Sequence, residues 1–247
     1  MTIRIAMWSG PRNISTALMR SWGSRSDCAV SDEPLYAHYL SELPHAAREA
    51  HPAWDDVLAS QPADWRLVAE RLTGPVPGGR RVWYQKHMAH HLTPGIGTDW
   101  VHQLENCFLI RDPAAMIASF VKVIPDPRPE DLGLPQQVEL FELVRARTGE
   151  TPVVIDSADV LADPAGMLGA LCARLGVRFD DDMLAWEPGA RDTDGVWAPH
   201  WYASVYESTG FKEYEPNAPE VPAHLGGVLT ECRGLYDQLS RERITSD

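Results

Sequence analysis

Short apolar runs alternate with stretches of helical period along the whole chain. Ile3 to Trp8 reads as a strand buried on both faces, as strands of a parallel sheet are. Ser15 to Trp22 then carries helical spacing, with Ala17, Leu18 and Trp22 on related faces. Ala29 to Ser31 and Val82 to Lys86 are further strand candidates. Between them, residues 36 to 73 have a helical pattern with breaks at Pro44, Pro52 and Pro62. Cys107 to Ile110 is a short apolar strand, and "DPAAMIASFVKV" follows as a helix, with Asp112 as its cap and Pro113 in the first turn. "QQVELFELVRAR" is an amphipathic helix. "PVVID" is a buried strand, followed by a helix that Asp163 opens and Gly176 stops. Such alternation predicts an α/β fold with a central parallel sheet flanked by helices.

From 188 to 224 the pattern dissolves into Pro, Gly and large aromatics, among them Trp197, Trp201, Tyr202 and Tyr206. That composition suits a lid over a site or a segment wrapping the surface. No internal repeat or low-complexity stretch interrupts the 247 residues, which suit one large domain, 1–247.

Charge narrows the function. With 22 basic and 35 acidic residues the formal charge is −13, which argues against a nucleic-acid partner. An anionic ligand must then be held by a few placed cations rather than by the overall field. Cys28, Cys107, Cys172 and Cys232 lack CxxC spacing, so buried thiols in a reducing compartment are expected. No signal peptide or membrane-length apolar run is evident, and the expected setting is cytoplasmic, away from membranes. The oligomeric state is not legible in the sequence.

Two loops follow predicted strands, where ligands of open parallel sheets bind. The first, "MWSGPRNISTAL", turns from strand to helix through Gly10, Pro11, Arg12, Asn13 and Ile14. A helix N-terminus there favours an anion; Arg12 adds a full charge, and Ser15 and Thr16 add hydroxyls. The same residues also fit an ordinary turn with capping side chains. In the second, "IRDPAAMIAS", Arg111 ends a strand and Ser119 lies two turns into the next helix. An arginine so placed grips a phosphate or pairs with a surface acid.

Taken together these motifs resemble the sulfotransferases that use 3′-phosphoadenosine 5′-phosphosulfate. In that family a first loop, Pro-Lys/Arg-Ser-Gly-Thr-Thr, grips the 5′-phosphosulfate. A second motif, Arg-Asn/Asp-Pro with a serine eight residues after the arginine, grips the 3′-phosphate. Pro11, Arg12, Ser15 and Thr16 match the first, and Arg111, Pro113 and Ser119 match the second at the same spacing. "DSADVLADPAGMLGALCARLGV" is similar to a third family segment, and the resemblance runs over roughly residues 3 to 180.

The resemblance implies a P-loop-type three-layer fold. It also implies transfer of a sulfuryl group from 3′-phosphoadenosine 5′-phosphosulfate to a hydroxyl or amine of a small-molecule acceptor. A sulfuryl group carries less charge than a phosphoryl group, so arginines and backbone N–H groups serve in place of a metal, and no metal is expected. A protein of this fold that binds without transferring, and a P-loop kinase, are the rival readings; the loop lacks the kinase ending Gly-Lys-Ser/Thr.

Family loops carry serine and glycine where this chain has Asn13 and Ile14. A β-branched residue resists φ > 0, so Gly10 is expected to take over part of the bend, or the loop to be tighter. For the base that removes the acceptor proton there are two candidates. Glu33 follows the second strand, where several family members resemble one another in placing a glutamate. His87 follows the third strand, next to Lys86, which would help neutralise the leaving phosphate. His87, His90 and His91 have i, i+3, i+4 spacing, which on a helix would offer three zinc ligands but no fourth. Acceptor-pocket lining and plain surface exposure are the other readings of these histidines.

Overall fold

A computed structural model describes residues 2–214 and 219–246. Five strands form one sheet: β1 Ile3–Ser9, β2 Cys28–Asp32, β3 Val82–Met88, β4 Glu105–Ile110 and β5 Val153–Asp156. Their order is β2-β3-β1-β4-β5, with every pairing parallel. All five were expected from short, mainly apolar runs, as strands covered on both faces carry.

Alternation along each strand divides the core in two. Ile5, Met7, Tyr84 and Leu109 face one layer, with Leu18 and Trp22 of α1 (Ser15–Gly23) and Leu168 and Leu171 of the helix Pro164–Arg174. Ala6, Trp8, Trp83 and Phe108 face the other, against Val68 and Leu72 of the helix Trp65–Thr73 and Leu140 and Phe141 of the helix Leu134–Thr148. The result is the three-layer α/β fold expected.

Local signals behave as their chemistry requires. Asp112 accepts from the Ala115 N–H and Asp163 from the Gly166 N–H, each followed by a proline at the helix start. Residues 36 to 73 break into four helices, beginning with α2, Tyr36–Glu42, and the breaks fall at the three prolines. No helix among the described residues is long and apolar enough to cross a membrane.

The aromatic segment after residue 188 is anchored more firmly than a surface wrap would be. Arg20 on α1 makes a bidentate pair with Asp194, at 2.6 and 2.7 Å, with side-chain exposures of only 3% and 4%. Asp194 also accepts from the Arg191 N–H. Trp197 and Tyr202 are buried in the core layer that α1 covers. The four positions 215–218, inside the expected lid, lie outside the described residues.

Breaking a buried pair by removing one partner strands a charge in a dry site. Asp194→Ala is therefore expected to lower the unfolding free energy by about 3–5 kcal/mol, read by urea denaturation. Replacing both Arg20 and Asp194 with apolar residues of similar volume should recover much of that loss.

Candidate active site

The order of the strands places the ends of β1 and β4 side by side, with chain connections running to opposite sides of them. That is where a parallel sheet opens a crevice. Side chains stitch the two loops together. Arg12 Nε donates to Ser119 Oγ at 2.9 Å, and the Arg111 guanidinium donates to the Arg12 carbonyl. Asn13 Nδ2 donates to the Leu109 carbonyl, and Asn13 Oδ1 accepts from the Ile14 N–H. Buried Gln137, which no sequence motif singles out, donates through Nε2 to the carbonyls of Trp8 and Leu109 and so ties the ends of β1 and β4.

The loop bends elsewhere than expected. Arg12 is its left-handed residue, at φ 56°, whereas Ile14 sits at φ −83° and Gly10 has no positive φ. Gly10 is needed for a different reason: a Cβ there would collide with the Leu132 carbonyl and the Met116 methyl. No side chain caps α1, so the N–H groups of its first turn remain for a ligand.

A cavity of about 320 Å³ lies over these loops. Pro11, Arg12, Asn13, Ser15, Thr16, Arg111 and Ser119 line one side of the site, together with Lys212. Lys212 belongs to a stretch the sequence reading treated only as aromatic loop. Trp201 approaches the Arg12 guanidinium, with its ring centre 6.0 Å away.

Glu33 and Lys86 line the same cavity. Lys86 Nζ reaches Asp32 Oδ1 at 2.8 Å, Glu33 Oε1 at 2.7 Å and the Tyr202 hydroxyl. Asp32 pairs with Lys86 in the β2–β3 register, so both side chains share a face. Glu33 would alternate to the other face, but its backbone turns left-handed, at φ 40°, as the chain leaves β2. Burial raises the Glu33 pKa above the usual carboxylate range; the Lys86 ammonium opposes this and Asp32 adds to it. For Lys86, burial works against the ammonium, but the Asp32 and Glu33 carboxylates outweigh it and hold the pKa well above its ordinary value. Both upward shifts express one fact: a buried cluster of two carboxylates and one ammonium retains protons.

His87 stands away from this cavity. It follows Lys86 on β3 and so points to the opposite face, where its ring stacks on Trp8 with centroids 4.2 Å apart. Its Nε2 lies 3.2 Å from Gln85 Oε1, and burial pushes its pKa down to about 3. Alternation along β3 therefore points His87, one of the two candidate bases, away from the cavity that Lys86 lines. The three histidines do not share a helical face either, because His87 is in a strand and His90 and His91 are in a short 3₁₀ turn. His91 instead stacks on both Tyr36 and Tyr39, and with His90 it lines the cavity. No group of three or more metal-binding side chains converges among the described residues.

A profile of the sulfotransferase domain matches residues 3–238. The chain belongs to the sulfotransferase domain family. Two plant proteins from Arabidopsis thaliana, named branched-chain-amino-acid aminotransferase-like proteins 1 and 2, are 36% and 33% identical over 236 residues, or 95% of this chain. The chain spans 41% of the length of each. Among solved structures, a sulfotransferase domain from the curacin biosynthetic pathway superposes with a TM-score of 0.59 at 17% identity, covering 99% of both chains. At that identity the likeness concerns the fold, and it matches the layered sheet described above.

The crowding at Gly10 leads to a measurable expectation for this sulfotransferase domain. Gly10→Ala forces the β1 loop away from Leu132 and should cost about 1–3 kcal/mol of stability, measured by denaturant unfolding. Gly149→Ala makes a poor control because its φ is positive, whereas Gly169, in open space on a helix, tolerates a methyl group.

Proposed function

We propose that the domain transfers a sulfuryl group from 3′-phosphoadenosine 5′-phosphosulfate to a hydroxyl or amine of a small-molecule acceptor. The observation that carries this reading is that one cavity is lined both by two arginine-bearing loops with an uncapped helix start and by a carboxylate. The cradle consists of Arg12, Ser15, Thr16 and the uncapped start of α1, with Arg111 and Ser119 from the second motif. Two loops bearing one arginine each suit a ligand with two separate anionic groups. Arg12 and the α1 N-terminus would hold the 5′-phosphosulfate, and Arg111 and Ser119 the 3′-phosphate.

The donor supplies a sulfuryl group on a phosphate leaving group. Glu33 takes the proton from the acceptor's O–H or N–H as the new bond to sulfur forms and the bond between sulfur and the phosphate oxygen breaks. Arg12 and the helix N–H groups stabilise the charge that passes to the leaving phosphate, whereas the three N–H donors of Lys86 are taken by Asp32, Glu33 and Tyr202. Raised basicity suits Glu33 to the role, since the best base is one whose pKa approaches the working pH. The face to which β3 alternation assigns His87 favours Glu33 over it.

The acidic chain, four free buried cysteines and mixed aromatic cavity wall support a small-molecule acceptor in a reducing, cytoplasmic setting, without nucleic acid. We assign the segment from 188 onward the part of a cavity wall within one domain, with Trp197, Trp201 and Tyr202 over the site.

Adenosine 3′,5′-bisphosphate should raise the melting temperature more than ATP–Mg²⁺ does, with a stabilisation of about 2.7 kcal/mol at a hundred times its dissociation constant. Arg111→Ala should weaken that binding by about 1.5–3 kcal/mol, and should weaken a ligand lacking the 3′-phosphate less. A clear shift with ATP–Mg²⁺ and none with the bisphosphate would turn the reading to a kinase.

Glu33→Gln should keep the fold and bisphosphate binding while turnover falls at least about a hundredfold. In the unaltered protein, kcat/KM should decline as pH falls through the raised Glu33 pKa, because protonation removes the base. Unchanged turnover in the Gln variant would refute the assignment.

A further inference from the structure

Asp32 is the residue next to the base that the reaction, as described, does not use. Its side chain is 1% exposed against 12% for Glu33, and Glu33 alone of the two lines the cavity. Its bonds come from three separate parts of the chain. Asp32 Oδ1 accepts from Lys86 Nζ on β3, and Oδ2 accepts from the Gly195 N–H at 3.0 Å and from the Tyr202 hydroxyl at 2.8 Å. Tyr202 oxygen in turn accepts from Lys86 and from Trp197 Nε1, so its own O–H is left to donate to Asp32.

We propose that Asp32 is a positioning residue: it takes a share of the Lys86 ammonium so that Glu33 keeps its capacity to accept a proton, and it fixes the Gly195–Tyr202 wall to the same point. This rests on the proposed role of Glu33. The geometry behind it is a count of charges and donors. An ammonium has three N–H donors, and here they meet two carboxylates and one hydroxyl. If Glu33 had Lys86 to itself, the pair would be neutral and the carboxylate a poor base. With Asp32 enclosed beside it, the cluster carries a net charge of −1, and the carboxylate of the two that lines the cavity is Glu33.

The surroundings leave this balance in place. The titratable groups about Glu33 are Asp32 on its own strand, Lys86 on β3, Tyr36 on α2, Tyr202 on the wall, His91 after β3 and Arg12 across the cavity. Tyr36 meets His51 through its hydroxyl, and His91 is kept neutral by burial. Arg12 is turned to Ser119. Lys86 is thus the cation that Glu33 contacts, and Asp32 the group that divides it.

The test is the titration of the Glu33 carboxyl, followed by carbon NMR in the full chain, alongside the pH profile of kcat/KM. In Asp32→Asn the Glu33 titration should move down by about one pH unit or more, and the acid limb of kcat/KM should move with it. Bisphosphate affinity should stay within about twofold, because Asp32 has no contact with the anion cradle. Tyr202→Phe keeps both carboxylates but takes a donor from Asp32, which then draws more of Lys86; the Glu33 titration should move slightly up, and this variant serves if the Asn variant does not fold. A purely structural role would lower the melting temperature with no change in either pH readout, and that result in a folded variant, an upward shift in Asp32→Asn, or a downward shift in Tyr202→Phe would overturn the proposal. A shifted Glu33 titration in a protein that transfers no sulfuryl group would support the charge sharing and overturn the sulfuryl-transfer reading instead.

Discussion

One ammonium between two carboxylates sets the geometry of the whole site. The β2–β3 register places Asp32 beside Lys86, and a left-handed turn at the next residue brings Glu33 to the same nitrogen. A buried lysine without partners would lose its proton, and a buried pair of carboxylates without a cation would not both ionise. Each group is therefore tolerable only because the others are present. Asp32 extends the dependence to residues 195–202, which it holds through a backbone N–H and a tyrosine hydroxyl. The second anchor, Arg20 with Asp194, runs from the same segment to α1, the helix whose uncapped N-terminus belongs to the proposed anion cradle. The proposed cradle, base and wall are thus braced against one another through buried charge, which is directional where apolar packing is not.

The cradle itself follows a different logic. Its cations are committed to the protein before any ligand arrives: Arg12 holds Ser119, and Arg111 holds the Arg12 carbonyl. Such bonds fix the orientation of the guanidinium groups, so little entropy remains to be lost when an anion binds. They also link the two anion loops, so that a ligand gripping one of them orders both.

How far the sequence foretold this depends on the range of the interaction. The five strands were legible because each carries a short, mainly apolar run between turn signals, which is a local property. The residues proposed for the cradle stood out because they sit in two short motifs, and Glu33 because of its place after a strand. Asp32 was not, since what makes it matter is a lysine 54 residues away and a tyrosine 170 residues away. Tyr202 was noticed only as an aromatic ring in a loop, while the structure uses its hydroxyl. His87 shows the opposite failure. The clue was local: adjacent residues of a strand face opposite ways, so Lys86 and His87 could not both serve one side of the sheet. The bend of the β1 loop escaped for a third reason. Glycine and β-branched residues were weighed, but the left-handed position fell to Arg12, which has no conformational preference for it.

Left-handed backbone at Arg12 and Glu33 connects these observations. Each such residue costs about 1–3 kcal/mol and persists only where its surroundings over-determine it. At Arg12 the carbonyl is held by Arg111 and the side chain by Ser119. At Glu33 the N–H donates to the Lys86 carbonyl, and the Glu33 carbonyl accepts from the Tyr36 N–H and from Gln61 Nε2. Glycine at either position would adopt the same backbone without strain, yet it would remove the guanidinium or the carboxylate. Stability and the proposed chemistry therefore pull in opposite directions at these two residues that line the cavity, and in both places the chain keeps the charged side chain and bears the strain.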